Sequence, residues 1–272
     1  RLLLHALLAL GLLIPFSLAA ALALFLLGLA LPIAPALTAV VSAGASAVVF
    51  VVATFLARRF LDRRSFISLG FTLDRHTLPD LVIGVLIPLP ILGVAFLIET
   101  SLGWVHWEGW AWQQLPAGDV VLGLAGGLAI FVGVGLAEEA LSRGYHLQNL
   151  AESMGLPGGL LVSSVLFSAL HVFNPGFDGR AALGLVLAGY FLATGWVWTR
   201  RLWLSIGLHI GWNFFEGTVF GYAVSGLDLF RLMRHRVEGP EWVTGGAFGP
   251  EAGLVILPGL LLGTWLVWLY TR

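Results

Sequence analysis

Val120-Val-Leu-Gly-Leu-Ala-Gly-Gly-Leu-Ala-Ile-Phe-Val-Gly-Val-Gly-Leu-Ala-Glu138-Glu139-Ala-Leu-Ser-Arg143 decides how this chain is read. Nothing between Asp119 and Glu138 is charged, and the run is apolar enough to cross a bilayer as a helix. Two glutamates and an arginine then arrive inside it. Ionisable side chains at membrane depth are costly and mark a functional site by default. Two later stretches repeat the pattern: Phe167-Ser-Ala-Leu-His171 and His209-Ile-Gly-Trp-Asn213 also place polar groups inside apolar runs.

The composition around these elements fixes the class. A chain of 272 residues that is 58% hydrophobic and 11% charged has too little polar surface to dissolve as a globule. The expected fold is all-α, a polytopic integral membrane bundle of about eight helices in one domain over 1–272, with a motif core at about 119–222. With a net charge of −1 and no basic cluster interleaved with aromatics, nucleic acid is not an expected partner. The absence of cysteine excludes disulfides, thiolate metal sites and a cysteine nucleophile. All 14 basic residues are arginine, which points to a GC-rich prokaryote, and Arg1 in place of Met suggests a trimmed amino terminus.

Apolar runs bounded by polar or Pro/Gly punctuation fall at roughly 6–31, 35–57, 80–98, 119–148, 158–173, 181–199, 202–222 and 252–270. Arg58, Arg59, Arg63, Arg64 and Arg75 lie in one loop, and Arg200 and Arg201 in another on the same side. By arginine bias that side is cytoplasmic, as are both termini, in a prokaryotic cell membrane. Opposite, the 99–118 loop has no arginine but carries Trp104, Trp107, Trp110 and Trp112, an interfacial aromatic belt. Phe66, Ile67, Leu69, Phe71 and Leu73 suggest a topology anchor on the membrane surface. Residues 223–251 read as a long external loop with solvated charges, and Ser225 within it as a turn residue. His5, His76, His106 and His235 read as interfacial or solvated, and His146 as structural. Glycine pairs four apart, Gly207 and Gly211 among them, mark close helix packing.

Spacing organises the polar groups. Glu139 and Arg143 are four apart and meet on one helical face, where a charge-assisted pair makes both tolerable in a low dielectric. Glu138 points about 100° away, without that partner, and is the candidate general base or acid. Phe167 sits one turn before His171 and can fix the imidazole rotamer by ring packing. His209 and Asn213 share a face and offer two donors to one point, as an oxyanion requires. At 1.5 Å per residue the three helices bring Glu138, His171 and Asn213 to one layer, roughly 17–20 Å from the arginine-rich side. Glu216, three residues after Asn213, is placed as a hydrogen-bonding or helix-holding residue. Taken singly, each motif has a structural explanation: a lone His or Asn can bond a neighbouring helix, and a Glu–Arg pair can lock a bundle. Together they favour a reactive site.

In this order, on successive membrane helices, EExxxR, FxxxH and HxxxN resemble the CAAX prenyl protease and bacteriocin-processing family, also called the ABI or type II CAAX endopeptidase family. The resemblance covers roughly 119–222 and implies an α-helical intramembrane protease. Its catalytic positions carry over to Glu138, His171, His209 and Asn213, with Glu139, Arg143 and Phe167 supporting. Chemistry and resemblance together imply water activated by Glu138 and His171, attack on a peptide carbonyl, and an oxyanion held by His209 and Asn213. A polar cavity open toward the cytoplasm is expected, with lateral access for a membrane-associated substrate, prenylated or not. No cofactor is expected. The alternative is zinc or another divalent metal at Glu138, His171 and His209, although the chain lacks HExxH and Arg143 competes for Glu139. A non-catalytic bacteriocin-immunity protein or scaffold is the alternative from another class.

Overall fold

The computed structural model describes residues 2–30 and 35–272, with side chains described for 2–23 and 38–272. Residue 31, the last of the first expected span, lies outside the described residues. Long apolar sequence yields long helix: α1 (Leu2–Ala30), α2 (Pro35–Leu56), α3 (Thr77–Leu86) and α4 (Pro88–Ser101) follow one another. A β-strand, β1 (Val105–Trp110), precedes α5 (Ala117–Glu139), whose helix continues through a π-helical turn, Ala140–His146, into α6 (Leu147–Ala169). Next come α7 (Gly179–Thr199), α8 (Trp203–Asn213) with a π-helical turn at Phe214–Val219, β2 (Met233–Val237), the single turn α9 (Glu241–Thr244) and α10 (Leu257–Tyr270).

Five of the described helical runs are long and apolar enough to cross a bilayer, and a shorter apolar one covers Leu254–Tyr270. The protein is an all-α integral membrane bundle. One run, Ala117–Ala169, has 53 residues, about 80 Å of helix against a hydrocarbon core of about 30 Å. It therefore cannot be one span. It breaks at Met154 and at Gly155, whose φ of 75° is open to glycine, and Pro157 restarts the helix. A Cβ on Gly159 would come within 2.8 Å of the Ala151 backbone nitrogen, so the chain doubles back tightly here. The fourth and fifth expected spans are the two arms of this hairpin.

Close backbone contact also joins α3 to α8. A Cβ on Gly207 would lie 2.4 Å from Leu81 O, and one on Gly211 2.1 Å from Val85 O. The expected packing role of this glycine pair is what the contact shows.

Both arginine-rich loops lie on one face. Leu202 N–H donates to Gly70 O (2.9 Å), Trp203 Nε1–H to Thr72 O (2.8 Å) and Arg201 Nε to Asp80 (2.7 Å). Beneath them Leu69, Leu147 and Leu202 are fully buried and pack with Trp196, Ile206 and Ile210. Leu69 is therefore a core residue, while Ile67 and Leu73 on the same segment stay exposed. The opposite face carries β1 and β2, paired antiparallel from Val105↔Val237 to Trp110↔Met233. The tryptophan belt is thus mounted on a small sheet, with Trp110 stacked on Trp112 at 4.5 Å.

The expected solvated loop at 223–251 is only partly so. Glu238 and Glu241 are exposed, but His235 and Glu251 are buried, and His235 Nε2 bonds Phe220 O at 2.7 Å. His5 is also buried rather than interfacial, its ring 4.4 Å from that of Tyr145. Local sequence gave no sign of either. Each histidine sits on a face that another element covers.

Candidate active site

Glu138 and Glu139 close α5 on adjacent faces, and the fold gives them different surroundings. Glu139 is fully buried. Its Oε1 accepts from Arg143 Nη1 (2.6 Å) and from His209 Nδ1–H (2.7 Å). The guanidinium is fixed further by donating to Gly189 O on α7 (3.0 Å) and by lying 4.4 Å over the Phe167 ring. One carboxylate thus ties α5 to α8, and its arginine ties α5 to α6 and α7. The π-helical turn that holds Arg143 is of the kind that recurs at functional sites.

Glu138 has no such anchorage. Its side chain keeps 23% exposure, and Oε2 lies 3.9 Å from Nε2 of His171 and 3.9 Å from Nε2 of His209. Both distances exceed a direct hydrogen bond. Among the described residues Oε2 has no hydrogen-bond partner.

The orientation of both imidazoles follows from their other nitrogen. His171 Nδ1 faces Phe167 O at 2.9 Å, and a carbonyl can only accept, so Nδ1 carries the hydrogen. His209 Nδ1 faces a carboxylate and donates likewise. Both rings therefore turn Nε2 toward Glu138. Phe167 holds the pair, its centroid 5.1 Å from His171 and 5.9 Å from His209. The helix carrying Phe167 stops at Ala169, so His171 sits in the turn after α6, not within the helix as the apolar run suggested.

Glu138, Phe167, His171, His209 and Asn213 all line a cavity of about 400 Å³. Glu139 and Arg143 stand behind them. Asn213 is buried and reaches the same cavity wall as His209. The shared face of His209 and Asn213 is as the spacing implied, but His209 spends Nδ1 on Glu139, so only Nε2 is left for a ligand. Donor types that suit zinc meet here, yet among the described residues no group of three or more His, Asp or Glu is arranged to hold a metal ion.

The opposite wall was not foreseen. Glu251 lines the cavity with both oxygens engaged: Oε1 accepts from Trp212 Nε1–H (2.9 Å), and Oε2 from the N–H (2.9 Å) and Oγ–H (2.7 Å) of Ser225. Asn174 Nδ2 donates to Ser225 O (2.9 Å). The chain Trp212–Glu251–Ser225–Asn174 therefore links the neighbour of Asn213 to the loop that follows His171. Ser225 is more than a turn residue. The one sequence sign was a carboxylate, Glu251, directly before the last apolar run. Glu216 is fully buried in the π-helical turn that follows α8, beside Trp212 and Glu251.

The cavity lies toward the end opposite the arginine-rich loops, not the arginine-rich end at which the opening is expected. Its lining includes Leu170, Asn174, Ser225 and Leu227 from the loops of the tryptophan-bearing face, and no residue of the arginine-rich loops.

No curated protein and no solved structure matches the chain. A family does: residues 120–215, the segment holding Glu138, Glu139, Arg143, Phe167, His171, His209 and Asn213, match the family of type II CAAX prenyl endopeptidases, Rce1-like.

Proposed function

We propose that this protein is an intramembrane endopeptidase in which Glu138 activates water. The observation that carries the reading is the position of Glu138 Oε2, 3.9 Å from Nε2 of both His171 and His209 at a cavity wall. A water held between Glu138 and His171 can reach both at hydrogen-bond distance. Glu138 takes its proton as the oxygen attacks a peptide carbonyl carbon. The carbonyl oxygen, now negative, is met by His209 Nε2 and the Asn213 amide. When the C–N bond breaks, Glu138 returns the proton to the leaving amine, and one water has been divided between two products.

His209 can donate from Nε2 only as an imidazolium, because Nδ1–H already faces Glu139. The surrounding charges suit that state. Ionised Glu138 and Glu139 balance Arg143 and a protonated His209, so the buried set is neutral when Glu138 is ready to act as base. Glu139 thus orients His209 and supplies its counter-charge, while Arg143 holds Glu139 in place. The substrate is a membrane-associated protein or peptide, of the CAAX type or another class, reached through the cavity. The membrane is proposed to be that of a prokaryotic cell.

The test is cleavage of prenylated and unprenylated CAAX-type peptides by purified protein, with and without a metal chelator, beside Glu138→Gln. Cleavage that survives chelation and is lost in the variant is the expected result. Chelator-sensitive cleavage would place a metal at Glu138, His171 and His209 instead. A well-folded wild type that cleaves none of the panel would favour a binding or immunity role.

A further inference from the structure

We infer that the cavity is entered from the membrane face opposite the arginine-rich loops, and that the substrates are membrane-associated polypeptides whose scissile segment is displayed on the non-cytoplasmic side. The word substrate rests on the peptidase reading. The direction of access does not.

The floor of the cavity lies toward the arginine-rich face and is sealed. Its deepest lining residues include Leu192 on α7 and His209 on α8, some six or seven residues, about 10 Å, short of the helix ends at Thr199 and Trp203. That thickness is filled. Leu69, Leu147 and Leu202 are fully buried there, and the Glu139–Arg143 pair with its bond to His209 forms a second buried layer. A peptide coming from this face would have to displace a packed core and an ion pair together, which costs far more than opening a loop.

Among the described residues the rim on the other face includes two loops that meet through the Asn174–Ser225 hydrogen bond and the Phe177–Phe248 ring contact. Leu170 is 48% and Leu227 50% exposed, and Phe173, two residues past His171, is 97% exposed. An apolar lip next to a polar wall suits a polypeptide that leaves the bilayer to reach Glu138.

Arginine placement gives the lip its side. Arg58, Arg59, Arg63, Arg64, Arg75, Arg200 and Arg201 crowd the sealed face. The rim face has Arg180, Arg231, Arg234 and Arg236, and its 99–118 loop has none. By positive-inside bias the sealed face is cytoplasmic. Both described ends of the chain point the same way, since Tyr270 Oη–H donates to Asp80 (2.8 Å) near Arg201 and His5 packs against Tyr145.

The chain has no cysteine, so single cysteines can report side and access in the full-length protein. Leu227→Cys marks the rim, Ser65→Cys the arginine-rich face and Ala188→Cys the cavity wall. In intact cells a membrane-impermeant thiol reagent should modify Leu227→Cys and Ala188→Cys, with Ser65→Cys reacting only after permeabilisation. Leu227→Cys silent until permeabilisation would reverse the membrane side. Ala188→Cys reacting only from the Ser65 side, or from neither, would overturn the route of access. None of these readings needs cleavage, so they stand or fall apart from the peptidase reading. If a peptide is cleaved in the assay above, it should be cleaved from outside only by vesicles with the rim outward.

Discussion

The helical run from α5 into α6 holds two polar clusters barely two turns apart, and they behave differently. Glu138 and Glu139 form the first with Arg143, His171 and His209. Tyr145 and His146 belong to the second, with His5, Thr54, Arg58, Asp62 and Asn149: Arg58 donates to Asp62 (3.0 Å), Asn149 to Asp62 (3.3 Å), and His5 lies 3.4 Å from Thr54 Oγ1. Both clusters are buried and both are rich in ionisable groups. Among the described residues the first borders the cavity that Glu138 lines, and there a carboxylate oxygen stands between two imidazoles without bonding either. Burial of charge marks where a membrane protein has invested in polar contacts; a reactive group needs, in addition, space beside it and an uncommitted lone pair.

The widest separation between the clusters should come from Glu138→Gln. Removing the base should lower the cleavage rate by roughly 10²–10⁴-fold, while thermal stability in detergent stays close to wild type, because Oε2 has no partner to lose. A variant that unfolds early would show that Glu138 is structural and erase the contrast.

Asp62→Ala probes the other cluster and should do the reverse. It leaves the buried Arg58 guanidinium without its counter-charge, a loss of about 3–5 kcal/mol in stability. Cleavage per folded molecule should be unchanged. A stable Asp62→Ala protein with impaired cleavage would mean that the second cluster feeds the first.

Much of this contrast was legible in the sequence, and the limit has a physical cause. The Glu139–Arg143 contact and the common wall of His209 and Asn213 are separations of four residues that helical geometry fixes without knowledge of the fold, and the Phe167–His171 ring contact keeps the same separation although His171 lies just past the helix end. The apolar runs announced a helical membrane bundle because the bilayer permits few alternatives. The Glu139–His209 bond joins residues on different helices, so no periodicity reports it. Glu251 and Ser225 were hidden for another reason. Their loop is polar and glycine-rich, the mark of a solvated segment, and only its return over the cavity buries it. The end of the bundle at which the cavity lies was hidden too, since depth along a helix says nothing about which end is plugged.

Glu251→Gln tests that returning wall. An amide can accept on one side but must present N–H₂ to the other, facing either Trp212 Nε1–H or the two Ser225 donors. One buried donor should be left unsatisfied, at a cost of about 1–3 kcal/mol. Because the network joins the neighbours of His171 and Asn213, cleavage should fall along with stability, though less than in Glu138→Gln. Wild-type values for both would show the wall is held by something else.

The smallest effect belongs to Asp178, which starts α7 and so sets the position of the Gly189 carbonyl that Arg143 uses. Its carboxylate accepts from the N–H groups of Ala181 (3.0 Å) and Arg180 (2.8 Å) as a helix N-cap. The Ala181 N–H, foremost, and then the Arg180 side chain hold the Asp178 carboxyl below its ordinary range. A carboxyl depressed by folding stabilises the fold above its unfolded value, about 3.9, and the contribution disappears as pH falls through the lowered folded value. Asp178→Ala should therefore cost about 1 kcal/mol at neutral pH, and thermal melts of variant and wild type should converge on acidification. A gap that persists undiminished at low pH would mean that Asp178 acts by packing, and that the cap contributes nothing to the placement of Arg143.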